Sequence, residues 1–281
     1  MRLFSIILVL LALFPACLLH GQHKCGTTTE GSEEARARFM PGYFGCNYIK
    51  KTDKTLSITL WIAEDSLGSI GYSLTNLQDP MDFLNEIYEP IGIAFQICDT
   101  IFMENFQFNN FVSEEELDEM LAMYYRPNTI NLYLTQDVDH APFGQVGGFA
   151  ALPGGDDIIV MRKSTMVGQS QTLVHEMGHF FGLYHTFETD FGIELVDGSN
   201  CEDTGDLVCD TEADPNDDAD NLPFPDCNYD GSPETDSNGD YYVPPTNNFM
   251  SYYSPDCTCR FTPQQYNRML EQYQQLRSYL W

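Results

Sequence analysis

Two hydrophobic periods succeed one another along residues 56–181. Leu56-Ser-Ile-Thr-Leu-Trp-Ile62 carries apolar side chains at alternate positions, the pattern of a half-buried strand. A helical period follows, with Met81, Leu84, Ile87 and Tyr88 on one face, Asp79 at the cap and Pro80 at the first helical position. Ile93 to Cys98 reads as a second strand. Ser113-Glu-Glu-Glu116 opens a capped helix with Leu117, Met120 and Leu121 on one side. Strands are predicted from Thr129 to Leu134, Gly147 to Leu152 and Ile158 to Met161, the last two joined through a turn at Pro153-Gly-Gly. A helix then runs from about Ser170 to Phe181.

Beyond it, as far as Asn248, periodicity gives way to Asp, Asn, Pro and Gly. A structureless loop of that length is unusual in a compact domain unless metals or disulfides pin it. The chain closes on a helix with Thr262 as cap, Pro263 first and Gln265 completing a capping box; Tyr266, Met269, Leu270, Tyr273, Leu276 and Leu280 line one face.

The two ends differ in kind. Residues 1–21 begin with Met1-Arg2, continue through an apolar run from Leu3 to Phe14 and end in small residues, the layout of a secretory signal cut after Gly21 or, alternatively, Ala16. The run falls short of the ~20 residues that span a bilayer, so no membrane anchor is expected and the product is secreted and extracellular. Residues 22–50 are polar and aperiodic and read as a pro-segment, leaving 51–281 as one folded domain. After the signal eight cysteines remain, five of them beyond position 200, and in an exported protein disulfides are their default.

Charge narrows the partners. The net charge is −29, and residues 188–240 hold 18 acidic side chains with no Lys or Arg. Such a polyanion without a basic cluster is not a nucleic-acid binder.

Residues 175–185 read HEMGHFFGLYH. His175 and His179 lie one helical turn apart on one face and can share a cation, and Gly182 allows the reversal that returns His185 as third ligand. Three imidazoles leave one position of a tetrahedral zinc open, which marks a catalytic site, and Glu176 stands beside the first ligand as general base for an attacking water. This spacing is the metzincin signature. In that family a methionine turn lies under the metal, and Asn247-Asn-Phe-Met-Ser-Tyr252 fits it with Met250 and Tyr252.

More closely, the chain resembles the pappalysin family of metzincins, in particular its short microbial, ulilysin-like members. HEMGHFFGLYHTF at 175–187, Gly205-Asp-Leu-Val-Cys-Asp-Thr211, NNFMSYYSPDC at 247–257 and Phe261-Thr-Pro-Gln-Gln265 carry the likeness. The resemblance implies an α+β fold, α/β in its upper part (about 51–182): a twisted mixed sheet with helices, a zinc-binding active-site helix on the cleft floor, and an irregular lower part (about 183–281) ending in a helix. It implies a monomeric zinc endopeptidase acting on proteins or peptides, with Glu176 and Tyr252 catalytic and an edge strand offering Gly148 and Ala150 to substrate main chain. Asp256, just before Cys257, would line the pocket for the residue after the scissile bond and favour Arg, then Lys. Asp206, Asp210 and Thr211 resemble a structural calcium site. A Cys227–Cys257 disulfide follows from the same likeness, while Cys201 is left with Cys209 or Cys259. Cys25-Gly26-Thr27 resembles the family's pro-segment motif, in which the Cys25 thiolate occupies the zinc of a zymogen; the competing assignment is a Cys25–Cys46 disulfide. The alternative function is a calcium-stabilised binding module on an inactive protease fold.

Overall fold

The strand predicted at residues 56–62 is longer than its alternation and is buried on both faces. In the computed structural model, which describes Thr27 and residues 48–111, 113–140, 144–215, 227, 229 and 234–281, β1 runs Lys54–Ala63. The expected signal, Cys25 and Cys46 lie outside the described residues. Leu56, Ile58, Leu60 and Ile62 face one apolar cluster and Trp61 and Ala63 another, so both parities are buried. This is the expected state of a central parallel strand and corrects the half-buried reading.

Helix α1 is Gln78–Tyr88 and β2 is Ile93–Met103. β2 extends past Cys98 because its register against β1 shifts there: Ile58 pairs with Ile97 but Thr59 with Asp99. The extra residue breaks the period of two, so the sequence pattern stops where the strand does not. Asp79 does not cap α1. A 3-10 turn, Leu74–Leu77, runs directly into the helix, Leu77 holds the cap position without a side-chain bond, and Asp79 sits in the first turn.

β3 (Asn110–Phe111), α2 (Glu114–Met123), β4 (Ile130–Thr135), β5 (Asp137–His140), β6 (Gly144–Gln145), β7 (Gly148–Ala150) and β8 (Ile158–Arg162) complete the upper part. The main sheet has the order β2-β1-β4-β8-β7, and β3, β5 and β6 form a smaller one. The first four strands of the main sheet are parallel, and β7 closes its edge antiparallel to β8. Ser113 caps α2 as predicted, its hydroxyl accepting from Glu116 N at 3.3 Å.

Helix α3 (Gln171–Phe180) lies against one face of the sheet and α4 (Pro263–Gln272) completes that core. Leu84 and Tyr88 of α1, Val174, Met177 and Phe180 of α3, and Met269 and Leu270 of α4 share one apolar cluster with the inward side chains of β1. Removing each large side chain from water contributes about 1.5–3 kcal/mol. Trp61 and Tyr133 stack on the opposite face with ring centroids 6.1 Å apart. The predicted capping box of α4 is formed: Thr262 Oγ1 accepts from Gln265 N, and Gln265 Oε1 from Thr262 N.

The aperiodic stretch after α3 is stapled rather than layered. Cys201 bonds Cys209 rather than Cys259, and Cys227 bonds Cys257 as the resemblance implied. Residues 48–50 are held by α4, with Lys50 N donating to Asn267 Oδ1, Asn267 Nδ2 donating to Tyr48 O and Lys50 Nζ pairing with Glu271.

Candidate active site

Ser170 fixes where the site begins. Its hydroxyl accepts from Leu173 N at 3.1 Å, starting α3 so that His175 and His179 fall on one face. Gly182, with φ +87°, ends the helix, and Leu183 N donates back to Gly178 O at 2.9 Å. The reversed chain presents His185, and the three imidazoles gather at the buried end of the helix. His179 Nε2 lies 3.0 Å from His175 Nε2 and 3.1 Å from His185 Nε2. Each of the first two rings is oriented through its other nitrogen: His175 Nδ1 donates to Phe249 O at 2.6 Å and His179 Nδ1 to Leu183 O at 2.8 Å. Burial holds His175 down to about 4 and the other two well below the usual imidazole range, so all three are neutral donors.

The turn beneath the histidines is built from side chains that belong to separate sequence motifs. Asn248 Oδ1 accepts from Met250 N at 2.8 Å, shaping the turn, while Asn248 Nδ2 donates to Gln265 Oε1 at 2.9 Å. The residue that completes the α4 capping box therefore also anchors the Met250 turn. Thr186 N donates to Met250 O at 3.1 Å, tying the turn to the residue after His185. Tyr252 places its ring 4.8 Å from His185 and 4.6 Å from Phe187, and Phe187 lies parallel to His185 at 4.7 Å. Phe187 falls within the histidine motif, but its stacking has no sequence signal.

Glu176 is fully buried beside the edge strand. A Cβ on Gly148 would meet Glu176 Cγ at 3.2 Å and Val160 O at 2.8 Å, so glycine lets β7 approach the helix. Ala150 turns its amide and carbonyl away from β8, and both are met by the hydroxyl of Thr27, which also lies 3.1 Å from Glu176 Oε2.

Of the expected calcium residues, Asp206 and Thr211 come together and Asp210 turns elsewhere. Asp206 Oδ1 accepts from Thr211 Oγ1 at 3.0 Å and Val208 N at 2.9 Å, whereas its buried Oδ2 has no hydrogen-bond partner. Asp210 accepts from the Thr262 hydroxyl and from Gln264 N at 3.0 Å, serving the amino terminus of α4. Glu194, one acid among many in the sequence, is buried against this group: a Cβ on Gly205 would run into its carboxylate. Burial and the Asp206 and Asp214 charges push Glu194 up to about 8, and burial pushes Asp206 up to about 7. Asp256 stands beside the bonded Cys257 with a buried Oδ1 that has no hydrogen-bond partner.

Residues 125–274 match the peptidase M43 family, described as pregnancy-associated plasma protein-A. An extracellular metalloprotease of Colletotrichum graminicola is 29% identical over 216 residues, which is 72% of this chain and 69% of that protein. Human pappalysin-1 is 38% identical over 116 residues, 37% of this chain and 6% of its own length. Among solved structures, a mutant promirolysin of Tannerella forsythia superposes with a TM-score of 0.58 at 14% identity, covering 90% of this chain and 94% of its own. Mature mirolysin with a cleaved peptide gives 0.54 at 15% identity, covering 78% and 91%. No described helix is long and apolar enough to cross a membrane. With half of the chain matched and the histidines gathered where that family needs them, the protein belongs to the peptidase M43, or pappalysin, family of metzincins and is a secreted metalloendopeptidase.

Proposed function

We propose that this enzyme is a zinc endopeptidase that cuts on the amino side of Arg, less readily of Lys, and is exported as a latent precursor with a calcium-braced lower part. The zinc reading is carried by one observation. The Nδ1 atoms of His175 and His179 both meet carbonyl oxygens, which only accept, so each Nε2 bears a lone pair, and these lone pairs face one another at 3.0 Å. Facing lone pairs repel, and a shared cation turns that repulsion into ligation. An all-imidazole set of three suits zinc over calcium or magnesium, which take oxygen donors.

His175, His179 and His185 would hold the zinc ion, which would supply a Lewis acid for the scissile carbonyl and the attacking water. Glu176 accepts the proton of that water and returns it to the leaving amine. Ala150 offers its outward amide and carbonyl to the substrate main chain as an added strand. The Tyr252 phenol, beside His185, donates to the oxyanion as the carbonyl becomes tetrahedral. Met250 and Asn248 support the triad from below.

Asp256 supports the Arg preference because its Oδ1 is buried without a hydrogen-bond partner, and a guanidinium satisfies such a carboxylate with two parallel bonds. For calcium, the Asp206 Oδ2 that makes no hydrogen bond, the buried Glu194 carboxylate and the Thr211 hydroxyl supply hard oxygen donors of the kind a divalent cation takes. Latency is assigned to the segment containing Cys25, with its thiolate in the fourth zinc position; the burial of Thr27 beside Glu176 supports a pro-segment lying in the cleft. Mass-spectrometric profiling of peptides cut by the zinc-loaded, leader-free enzyme tests the specificity. Arg is expected to dominate the position after the cut, and an even distribution there overturns the proposal.

A further inference from the structure

Thr27 makes a contact that the cysteine device does not require. Its Oγ1 accepts from Ala150 N at 2.9 Å and lies 3.1 Å from Glu176 Oε2 and 3.3 Å from Ala150 O. A hydroxyl has a single proton to donate. The carboxylate oxygen is the nearer acceptor, so the proton goes to Glu176, and the amide fills an oxygen lone pair. The side chain is only 7% exposed and bonds residues 123 and 149 positions away, so this is a tertiary contact and not local turn chemistry.

The two partners come from different elements, and their separation is fixed. Ala151 N donates inward to Ile158 O, which leaves the Ala150 amide facing outward, and Gly148 lets the strand close on Glu176. We propose that Ala150 N–H and the Glu176 carboxylate form a hydroxyl-binding subsite, filled in this chain by Thr27, which fastens the leader to the cleft without help from a metal. The ligand chemistry is a Ser or Thr side chain on a peptide, presenting a lone pair to an amide and a proton to a carboxylate. The consequence for latency rests on Glu176 acting as the general base: with Thr27 bound, that oxygen is occupied and the outward edge of Ala150 is closed to substrate. A thiolate switch opens when zinc is removed, whereas this contact does not.

The test uses the chain from Gln22 onward, stripped of zinc by a chelator and therefore unable to cut itself. The Ala150 amide exchange rate, followed by NMR on protein labelled with ¹⁵N-alanine, is compared among the parent, Thr27→Val, Thr27→Ser and Cys25→Ser. The parent, Thr27→Ser and Cys25→Ser are expected to exchange alike, and Thr27→Val and Thr27→Ala, which both remove the hydroxyl, at least tenfold faster. Equal rates in Thr27→Val, Thr27→Ala and the parent would overturn the subsite. With zinc restored, the lag before self-cleavage is read separately. A shortened lag in Thr27→Val supports the subsite; an unchanged lag in Cys25→Ser overturns the cysteine switch alone and leaves the zinc-free exchange result standing.

Discussion

Met250 lies against the one helix position between the first two histidines that has no side chain: a Cβ on Gly178 would come within 2.6 Å of the Met250 Sδ and 3.4 Å of its Cε. Both atoms are in the buried core, so neither helix nor turn can yield cheaply. Gly178→Ala is expected to lower stability by about 1–3 kcal/mol through overpacking and to weaken zinc binding, because the turn that moves also carries the Phe249 carbonyl orienting His175. Melting temperature and zinc titration check this. Met250→Ala in the Gly178→Ala background is expected to recover part of both.

Asp256→Ala is expected to lower kcat/KM for peptides with Arg after the cut by about 10- to 100-fold, the scale of losing a bond to a charged group. Peptides with Leu at that position should be cut as before. Paired peptide kinetics decide it, and an equal loss on both substrates would assign Asp256 a structural role.

Glu194 gives the calcium reading a pH signature. Without calcium its folded pKa is raised to about 8 from an ordinary 4.5, so between these values the folded state holds a proton that the unfolded state has released. Stability therefore falls as pH rises through that window. Calcium binds the deprotonated carboxylates, so the melting temperature it adds should be small at pH 5 and largest near pH 8. Glu194→Gln should flatten the calcium-free slope and abolish the calcium gain. A calcium response that is the same at both pH values would count against the site.

Arg277 holds together the carboxyl ends of the two elements that frame the catalytic group. Its guanidinium donates to Phe180 O at the end of α3 and to Ala151 O and Leu152 O after β7, with Asp157 3.5 Å from its Nε. Arg277→Ala leaves a buried carboxylate without its cation and is expected to cost about 3–5 kcal/mol in urea unfolding. Adding Asp157→Asn should restore a measurable share.

What the sequence made legible was local. His175, Glu176, His179 and His185 follow from one helical period and one glycine, and the caps at Ser113 and Thr262 are local hydrogen bonds that spacing encodes. What it concealed depends on partners distant in the chain. The β2 bulge at Cys98 is invisible to a period of two, and Asp79 lost its cap position because an adjacent turn merged with the helix. Glu194 is one of 18 acids between residues 188 and 240, and only the loop that buries it against Asp206 distinguishes it. Asp210 reads as a metal ligand by its motif, yet 54 residues later Gln264 N takes its carboxylate.

The central claim is that three histidines hold one zinc ion while Glu176 moves the proton. Zinc content and casein hydrolysis, measured together on the leader-free wild type, Glu176→Ala and His179→Ala, test it most directly. The expected result is one zinc per wild-type chain, with activity lost to a chelator and restored by zinc. Glu176→Ala should hold zinc equally but hydrolyse at least ~100-fold more slowly, the scale of a missing general base, and His179→Ala should lose the metal. Wild-type hydrolysis by Glu176→Ala, or undiminished zinc in His179→Ala, would contradict it.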